Sequence, residues 1–298
     1  MTAPALAVVV PSVNGWAHLE GCLAALAAEG RTVPLEVVVA DRLGEELRSR
    51  VRAAFPAVRI LPASPETTIP DLRALAFAAA TAPAVAVIED HVLVPPGWAG
   101  RLLAALAAGE DVAGGAVENA ATETLVDRAA FLCEYHQLLP PLVAGEVAGL
   151  AGNNVVYRRS VLLRAEAAWR AGRWEDHLQA ELRRQGVRLI QHPEIVVGHR
   201  MPCTVGGYLG QRFLYSRAYA GLRAAGMGRA GRAAYGAAAL ALPAVLLVRV
   251  VRTLLAKGGH GKDVVLGLPL FVLFTAAWGL GEVAGAWFGD GGALRRIR

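Results

Sequence analysis

Three consecutive side chains able to hold a metal ion, Glu89, Asp90 and His91, follow directly on the apolar run Val85 to Ile88. A short continuous apolar run bounded by turn residues is the pattern of a buried strand. In open α/β sheets, ligands and metals gather just past the carboxyl ends of the strands. Carboxylate oxygens suit Mg²⁺ or Mn²⁺, and an adjoining imidazole tilts the choice toward Mn²⁺. The same residues would equally suit a solvated acidic turn, so residue types alone leave two readings.

Other polar residues fall where the same crevice would receive them. Asp41 ends a second apolar run, and its carboxylate could accept hydrogen bonds from a nucleobase or a ribose. Asn14 lies in the turn Pro11-Ser12-Val13-Asn14-Gly15, after the first run. Arg73, early in the helix before the Glu89 strand, could fork onto a diphosphate, for which the planar guanidinium is shaped. Taken singly, Asp41 also reads as a turn residue and Arg73 as a solvated helix face. Glu175 and Asp176 suit the first turn of a helix, where the macrodipole favours negative charge. Glu134 to Gln137 lie on a helix expected over Thr124 to Leu138 and could line a pocket, though His136 and Gln137 read better as helix surface. His192 and His199 flank a short strand expected over Glu194 to Val197, with no carboxylate or cysteine at ligand spacing, and are expected to be structural or rim residues.

The elements that must position these groups alternate. Strands are expected over Leu6 to Val10, Leu35 to Ala40, Val58 to Leu61 and Ala84 to Ile88. Helices are expected over Ala17 to Glu29, Glu45 to Ala54, Pro70 to Ala80 and Gly97 to Ala108. Apolar strands spaced by helices imply an α/β fold with a mainly parallel sheet covered on both faces. No G-x-G-x-x-G or GK[ST] loop occurs, so neither a dinucleotide fingerprint nor a P-loop is supported, and there is no internal repeat.

Composition bounds the class. Of 298 residues 55% are hydrophobic and only 18% charged, too apolar for an ordinary soluble enzyme. The excess gathers after Ala233. The net charge of +5 is almost wholly arginine, Lys257 and Lys262 being the lysines, and it is not read as nucleic-acid binding. Cys22, Cys133 and Cys203 form no disulfide framework, and the N-terminus has no basic n-region, so a cleaved signal peptide is not expected. Ala233 to Val248 is apolar but short, interrupted by Arg249 and Arg252; Val264 to Phe288 spans a bilayer more comfortably. A helical hairpin with both ends cytoplasmic fits best, and the competing arrangement is an interfacial helix followed by one span.

The order of these features is that of a known family. VVVPSVNGWAHLEGCLAALAAEG resembles the opening strand, turn and helix of the family 2 glycosyltransferases, inverting enzymes of the GT-A fold that use nucleotide-diphospho-sugars. The resemblance places Pro11, Asn14, Asp41, Arg73, Glu89 and Asp90 at the donor. Asp41 stands at the first acidic residue of the strand-two DDGS-type motif, whose remainder is Arg42-Leu43-Gly44 here. Arg73 stands 16 positions before Glu89, at the interval of the family's diphosphate-binding arginine. Glu89-Asp90-His91 occupies the D-x-D metal motif and departs at both outer positions, so which of the three holds metal stays open. Gly152 to Arg159 resembles the acceptor-side G-x-N-x-x-(Y/F)-R-(R/K) segment and implies acceptor-side places for Asn153 and Asn154. Trp174-Glu175-Asp176-His177-Leu178 resembles the ED-x-x-L motif, which makes Asp176 the catalytic base with Glu175 beside the acceptor. Gln211-Arg212 is similar to a Q-x-x-R-W segment without its tryptophan, giving Arg212 an acceptor-side place.

The resemblance runs from Leu6 to Ala220 and is to membrane-associated, bacterial-type members. It implies a GT-A domain over 1–205, a juxtamembrane helix over 206–232 and membrane-associated helices over 233–298. It further implies Mn²⁺ or Mg²⁺, a nucleotide-diphospho-sugar donor and a lipid or polysaccharide acceptor of the cell envelope. The protein would sit at the inner membrane with its catalytic domain cytoplasmic. The chemistry needs a cation and an arginine to neutralise a departing diphosphate, and a carboxylate to take the acceptor's proton. Two rivals remain: a nucleotidyltransferase, whose glycine-rich, lysine-bearing loop is missing here, and a membrane scaffold on a decayed transferase fold, which the altered motifs allow.

Overall fold

A computed structural model describes residues 3–298. The chain forms two compact units, one from the chain up to Ala120 together with Leu138–Arg200, the other from Ala121–Gln137 and Met201–Arg298. This division differs from the 1–205, 206–232 and 233–298 segments read from sequence. A helix from mid-chain joins the C-terminal unit, and no sequence signal marks it.

The first unit opens with β1 (Leu6–Ser12), α1 (Trp16–Glu29), β2 (Leu35–Asp41), α2 (Glu45–Ala54), β3 (Arg59–Pro62), α3 (Ile69–Ala79) and β4 (Ala84–Val87). It continues with β5 (Val92–Leu93), α4 (Trp98–Ala107) and β6 (Val112–Asn119). After α5 (Leu125–Tyr135), which belongs to the second unit, come β7 (Gly145–Glu146), β8 (Val155–Arg158), α6 (Arg159–Arg164), α7 (Glu166–Trp169), α8 (Glu175–Arg184) and β9 (Leu189–His199). Among the described residues the nine strands form one sheet in the order β3-β2-β1-β4-β8-β6-β9-β5, with β7 also on β9. The strands β3, β2, β1 and β4 are parallel, as the apolar runs imply. Beyond β4 the sheet is mixed: β8 is antiparallel to both neighbours, and β6 is parallel to β9.

Every residue of β1 and β4 is buried, as a strand covered by helices on both faces requires. Leu19, Cys22, Leu23 and Leu26 of α1 recur at helical spacing and are buried. α3 starts where Thr68 caps Asp71 N and Pro70 occupies the first turn. These parallel strands all end at one edge of the sheet, so Ser12, Asp41 and Glu89 follow one another there.

The edge is tied by Asp90, which is fully buried. Its Oδ2 accepts from Val13 N at 2.7 Å and Asn14 N at 2.8 Å, and its Oδ1 accepts from Asn14 Nδ2 at 2.8 Å. One carboxylate thus joins the loop after β4 to the loop after β1. At the far side, β9 runs through Pro193 as one strand, longer than the Glu194 to Val197 segment expected. Its register against β6 slips: Gly115 pairs with His192, but Ala116 pairs with Val196, leaving residues 193–195 bulged. A Cβ on Gly115 would strike the carbonyls of Ile195 and His192, so the bulge needs glycine opposite it.

In the second unit, α5 packs with α9 (Val205–Ala224), α10 (Arg229–Ala239), α11 (Leu242–Lys257), α12 (Gly261–Phe288) and the short α13 (Ala293–Arg296). α9 runs along α12, where Gly281 meets Ser216 and the Phe213 carbonyl and Gly285 meets Ala220 and Gly221; a side chain at either glycine would separate the helices. Glu282 is buried between them and accepts from Arg223 at 2.8 Å and from the Tyr235 hydroxyl. α12 has 28 residues and is long and apolar enough to cross a membrane. The segment expected over Ala233 to Val248 is instead broken, α10 and α11 meeting at 45°.

Replacing Asp90 by alanine takes the acceptor from the buried Val13 N–H and the part-buried Asn14 N–H. We expect a loss of roughly 3 kcal/mol in urea unfolding of the full chain. A change below about 0.5 kcal/mol, the size of an ordinary surface substitution, would mean that the two loops are held by other contacts.

Candidate active site

A turn closed by Val92 N donating to the Glu89 carbonyl (3.0 Å) carries Glu89, Asp90 and His91 off the end of β4. β5 then pairs antiparallel with the end of β9, setting Val92 opposite His199. Arg200 N donates to the His91 carbonyl at 2.9 Å. This pairing brings together groups 108 positions apart: His91 Nε2 lies 2.9 Å from His199 Nε2. His91 Nε2 is also 3.4 Å from Glu89 Oε2. One ligand atom each from Glu89, His91 and His199 falls within 4.8 Å of the others, a spacing that fits a single metal ion.

The ring of His91 is oriented by its other nitrogen, Nδ1, which meets Asp90 Oδ1 at 3.0 Å and leaves Nε2 for the cluster. Burial opposes charge on His91, but hydrogen bonds to Asp90 and Glu89 and their negative charges outweigh it, raising its pKa to about 10. His199 moves the other way, to about 3, through burial and then the positive charge of His91. His91 therefore donates and neutral His199 accepts. Burial opposes ionisation of Asp90 as well, yet the bonds from His91, Asn14 and Val13 hold its carboxyl below the usual range.

Arg73 of α3 is buried beside this cluster. Its Nη2 meets Glu89 Oε1 at 3.3 Å, and its Nη1 makes a close ion pair with Glu175 at the start of α8. Asn153 Nδ2 donates to Glu89 Oε2 at 3.0 Å. Glu175 reaches Arg73 across Gly152: a Cβ at that glycine would overlap the Glu175 carboxylate. Pro70, Phe77, Tyr157, Trp169 and Leu178 line an apolar recess behind the pair.

Several residues expected at the site are employed elsewhere. Asp90, a candidate ligand, spends both oxygens on the β1 loop and on His91, and the atoms clustered for metal come from Glu89, His91 and His199 instead. Asp41 accepts from Ser12 Oγ (3.0 Å), Leu43 N (3.1 Å), Gly44 N (3.2 Å) and Arg48 (3.0 Å), so it closes the β2–α2 turn with its hydrogen-bonding capacity filled. Pro11 lies inside β1, opposite Ala40. Asn14 remains beside the cluster, its Nδ2 3.3 Å from His91 Nδ1. Asn154, expected on the acceptor side, is fully buried: it donates to the carbonyls of Ala116 (2.8 Å) and Ile195 (2.9 Å) and accepts from Trp98 Nε1 (3.0 Å), pinning β6, β9 and α4. Arg212, expected on the acceptor side, belongs to the second unit, where it lies 4.1 Å over Trp278 and 3.6 Å from Glu134. Asp176 is exposed and accepts locally from His177 N at 2.8 Å, so Glu175, not Asp176, enters the cluster. His199, expected at the rim, is the member that sequence spacing missed.

The Gly152–Glu175 contact is testable by itself. Gly152→Ala should destabilise the chain by about 2 kcal/mol through overpacking. In a Glu175→Ala background, where the obstructing carboxylate is gone, the same substitution should cost less than about 0.5 kcal/mol. Equal costs in both backgrounds, read from thermal unfolding, would show that Glu175 does not lie over Gly152.

No curated protein matches the sequence. Among solved structures, the chain is similar to S. aureus TarS 1-349, with a TM-score of 0.50 and 16% identity over 72% of this chain and 64% of that one. It thus spans somewhat under two thirds of that relative. It is also similar to the mannosyltransferase PcManGT from Pyrobaculum calidifontis, in complex with GDP-Man and Mn²⁺, with a TM-score of 0.51 and 16% identity over 96% of this chain and 74% of that one. At such identity these likenesses establish the fold, a GT-A-type α/β sheet flanked by helices. The family model described as "Glycosyl transferase family 2" matches residues 7–164, more than half of the 298, and takes in β1 to β8 with Arg73, Glu89 and His91: the chain belongs to glycosyl transferase family 2.

Proposed function

We propose that the protein transfers a sugar from a nucleotide-diphospho-sugar to an acceptor hydroxyl, with inversion and with a divalent ion. The observation that carries this reading is the junction of a metal-sized cluster, Glu89, His91 and His199, with the buried guanidinium of Arg73 at the carboxyl edge of the parallel strands. One carboxylate and two imidazoles form a donor set that suits Mn²⁺ better than Mg²⁺, which prefers oxygen. The mannosyltransferase relative was captured with GDP-Man and Mn²⁺, which supports the same pairing of donor and ion here. When bound, the ion would supply positive charge to the leaving diphosphate.

The protein's own groups supply the remainder. Arg73, while keeping its ion pair with Glu175, is positioned to turn guanidinium N–H groups to the diphosphate oxygens. A carboxylate already paired with a guanidinium is a poor proton acceptor. Asp176 forms no ion pair among the described residues, so of the two neighbours it is the better base. It would take the acceptor's hydroxyl proton as the new carbon–oxygen bond forms and the bond to the diphosphate breaks on the opposite face. Asp176 and His199 lie beyond residues 7–164, so this assignment rests on position. The apolar helix α12 supports attachment to a membrane, and a cytoplasmic active site with a lipid or polysaccharide acceptor is consistent with a cytoplasmic donor.

Calorimetric titration of the full chain with UDP-, GDP- and dTDP-sugars, with and without Mn²⁺, tests the donor site. One sugar nucleotide should bind tightly with Mn²⁺, and His199→Ala should weaken that binding at least about tenfold. Binding that ignores both Mn²⁺ and His199→Ala would sink the metal-dependent reading. With the donor identified, Asp176→Asn should lower kcat by about 10³ while donor affinity holds. If Glu175→Gln abolishes turnover and Asp176→Asn does not, Glu175 is the base.

A further inference from the structure

Two guanidiniums of the second unit take no part in the reading above. Arg249 and Arg252 are exposed on α11, in one stripe with exposed Val245, Val248 and Leu255 at i, i+3, i+4, i+7 spacing. α11 contains no acidic residue. Among the described residues neither arginine is paired with a carboxylate, in contrast to Arg223, which is held by Glu282, and Arg128, which is held by Asp263. The opposite side of α11 buries Val250 and Leu254.

The level of these arginines along α12 is set by packing. Gly279 of α12 lies against Pro243, the second residue of α11. From there the two helices run together to their connecting turn, at about 1.5 Å per residue. Arg249 therefore comes opposite roughly residue 273 and Arg252 opposite roughly residue 270, close to the middle of Gly261–Phe288. Were α12 to stand upright across a bilayer, both exposed guanidiniums would face the hydrocarbon near its centre, where arginine is among the costliest residues. A solvated basic face is no better an account, because the same stripe exposes Val245, Val248 and Leu255. Arginines set in an apolar stripe belong where acyl chains and phosphates meet.

We propose that α11 is an in-plane membrane helix whose Arg249 and Arg252 bind the phosphates of anionic phospholipids. Exposed Val265, Val272, Leu273 and Leu280 of α12 then lie against the acyl layer along the helix. The inference rests on the membrane attachment proposed above and specifies its geometry and its lipid. It favours an interfacial pair over two full spans.

The test uses the full chain, transferred from detergent to vesicles of phosphatidylcholine alone or of phosphatidylcholine with phosphatidylglycerol, and read by flotation. The wild-type chain should partition into both and prefer the phosphatidylglycerol vesicles by about thirtyfold at low salt, the gain expected from two arginines at an anionic surface. Arg249→Gln/Arg252→Gln should reduce that preference to about twofold or less without loss of helical circular dichroism. Arg249→Lys/Arg252→Lys, which keeps the charge, should retain most of it. A preference that survives the glutamine pair, or is absent from wild type that still floats, overturns the phosphate role of these arginines. No flotation with either vesicle overturns the membrane attachment on which it rests.

Discussion

A buried, ionised carboxylate is tolerated only where enough donors converge on it, and Asp90 is the point at which this sheet edge meets that condition. Backbone and side-chain donors from Val13 and Asn14 on one side, and the His91 ring on the other, consume its oxygens. The two loops so joined leave neighbouring parallel strands, and neither has regular structure to hold it. The middle residue of the Glu89-Asp90-His91 triplet is spent on the scaffold, while its two neighbours meet His199 in the cluster. The scaffold and the cluster are therefore joined through one short segment.

Much of this was legible in the chain. β1, β2 and β4 are continuous apolar runs that end in polar residues, and helices with buried stripes separate them, so the parallel half of the sheet follows from pattern. β6 reads Val-Ala-Gly-Gly-Ala-Val-Glu-Asn, and its paired glycines conceal a buried strand that is needed to accommodate a bulged neighbour. Only Glu194 to Val197 of β9 reads as a strand from sequence, whereas β9 passes through Pro193 because the bulge frees that position from pairing. At the site, Arg73 and Glu89 were recognisable by interval. His199 was not, because its distance from His91 along the chain carries no spacing rule and only the β5–β9 pairing unites them. Asp41, Asn154 and Arg212 were polar residues whose partners lie in the surrounding structure, which local sequence does not reveal.

Close approach without a side chain recurs in both units. Gly152 lets Glu175 reach across to Arg73, and Gly281 and Gly285 let α9 settle against α12 around the buried Glu282. At Gly152 a carboxylate sits where a methyl would otherwise stand; at Gly281 and Gly285 the Ser216 hydroxyl and the backbone of α9 take that place. The glycines therefore determine which ion pairs can form, and the ion pairs in turn determine how the guanidiniums are presented. Arg73 and Arg223 differ in surroundings but share this dependence.

The bulge in β9 has a consequence for how this site can change over evolutionary time. Residues 193–195 are an odd number of positions without partners, so the strand leaves the bulge with its two faces exchanged, and His199 rather than Gly198 falls on the side that His192 occupied. Membership of the Glu89–His91–His199 group is thus governed by chain length as well as by residue type. Losing or gaining one residue in that short stretch would leave every side chain of the group in the sequence, yet would rotate one of them out of reach. It is counting, at this one place, that the site cannot relax.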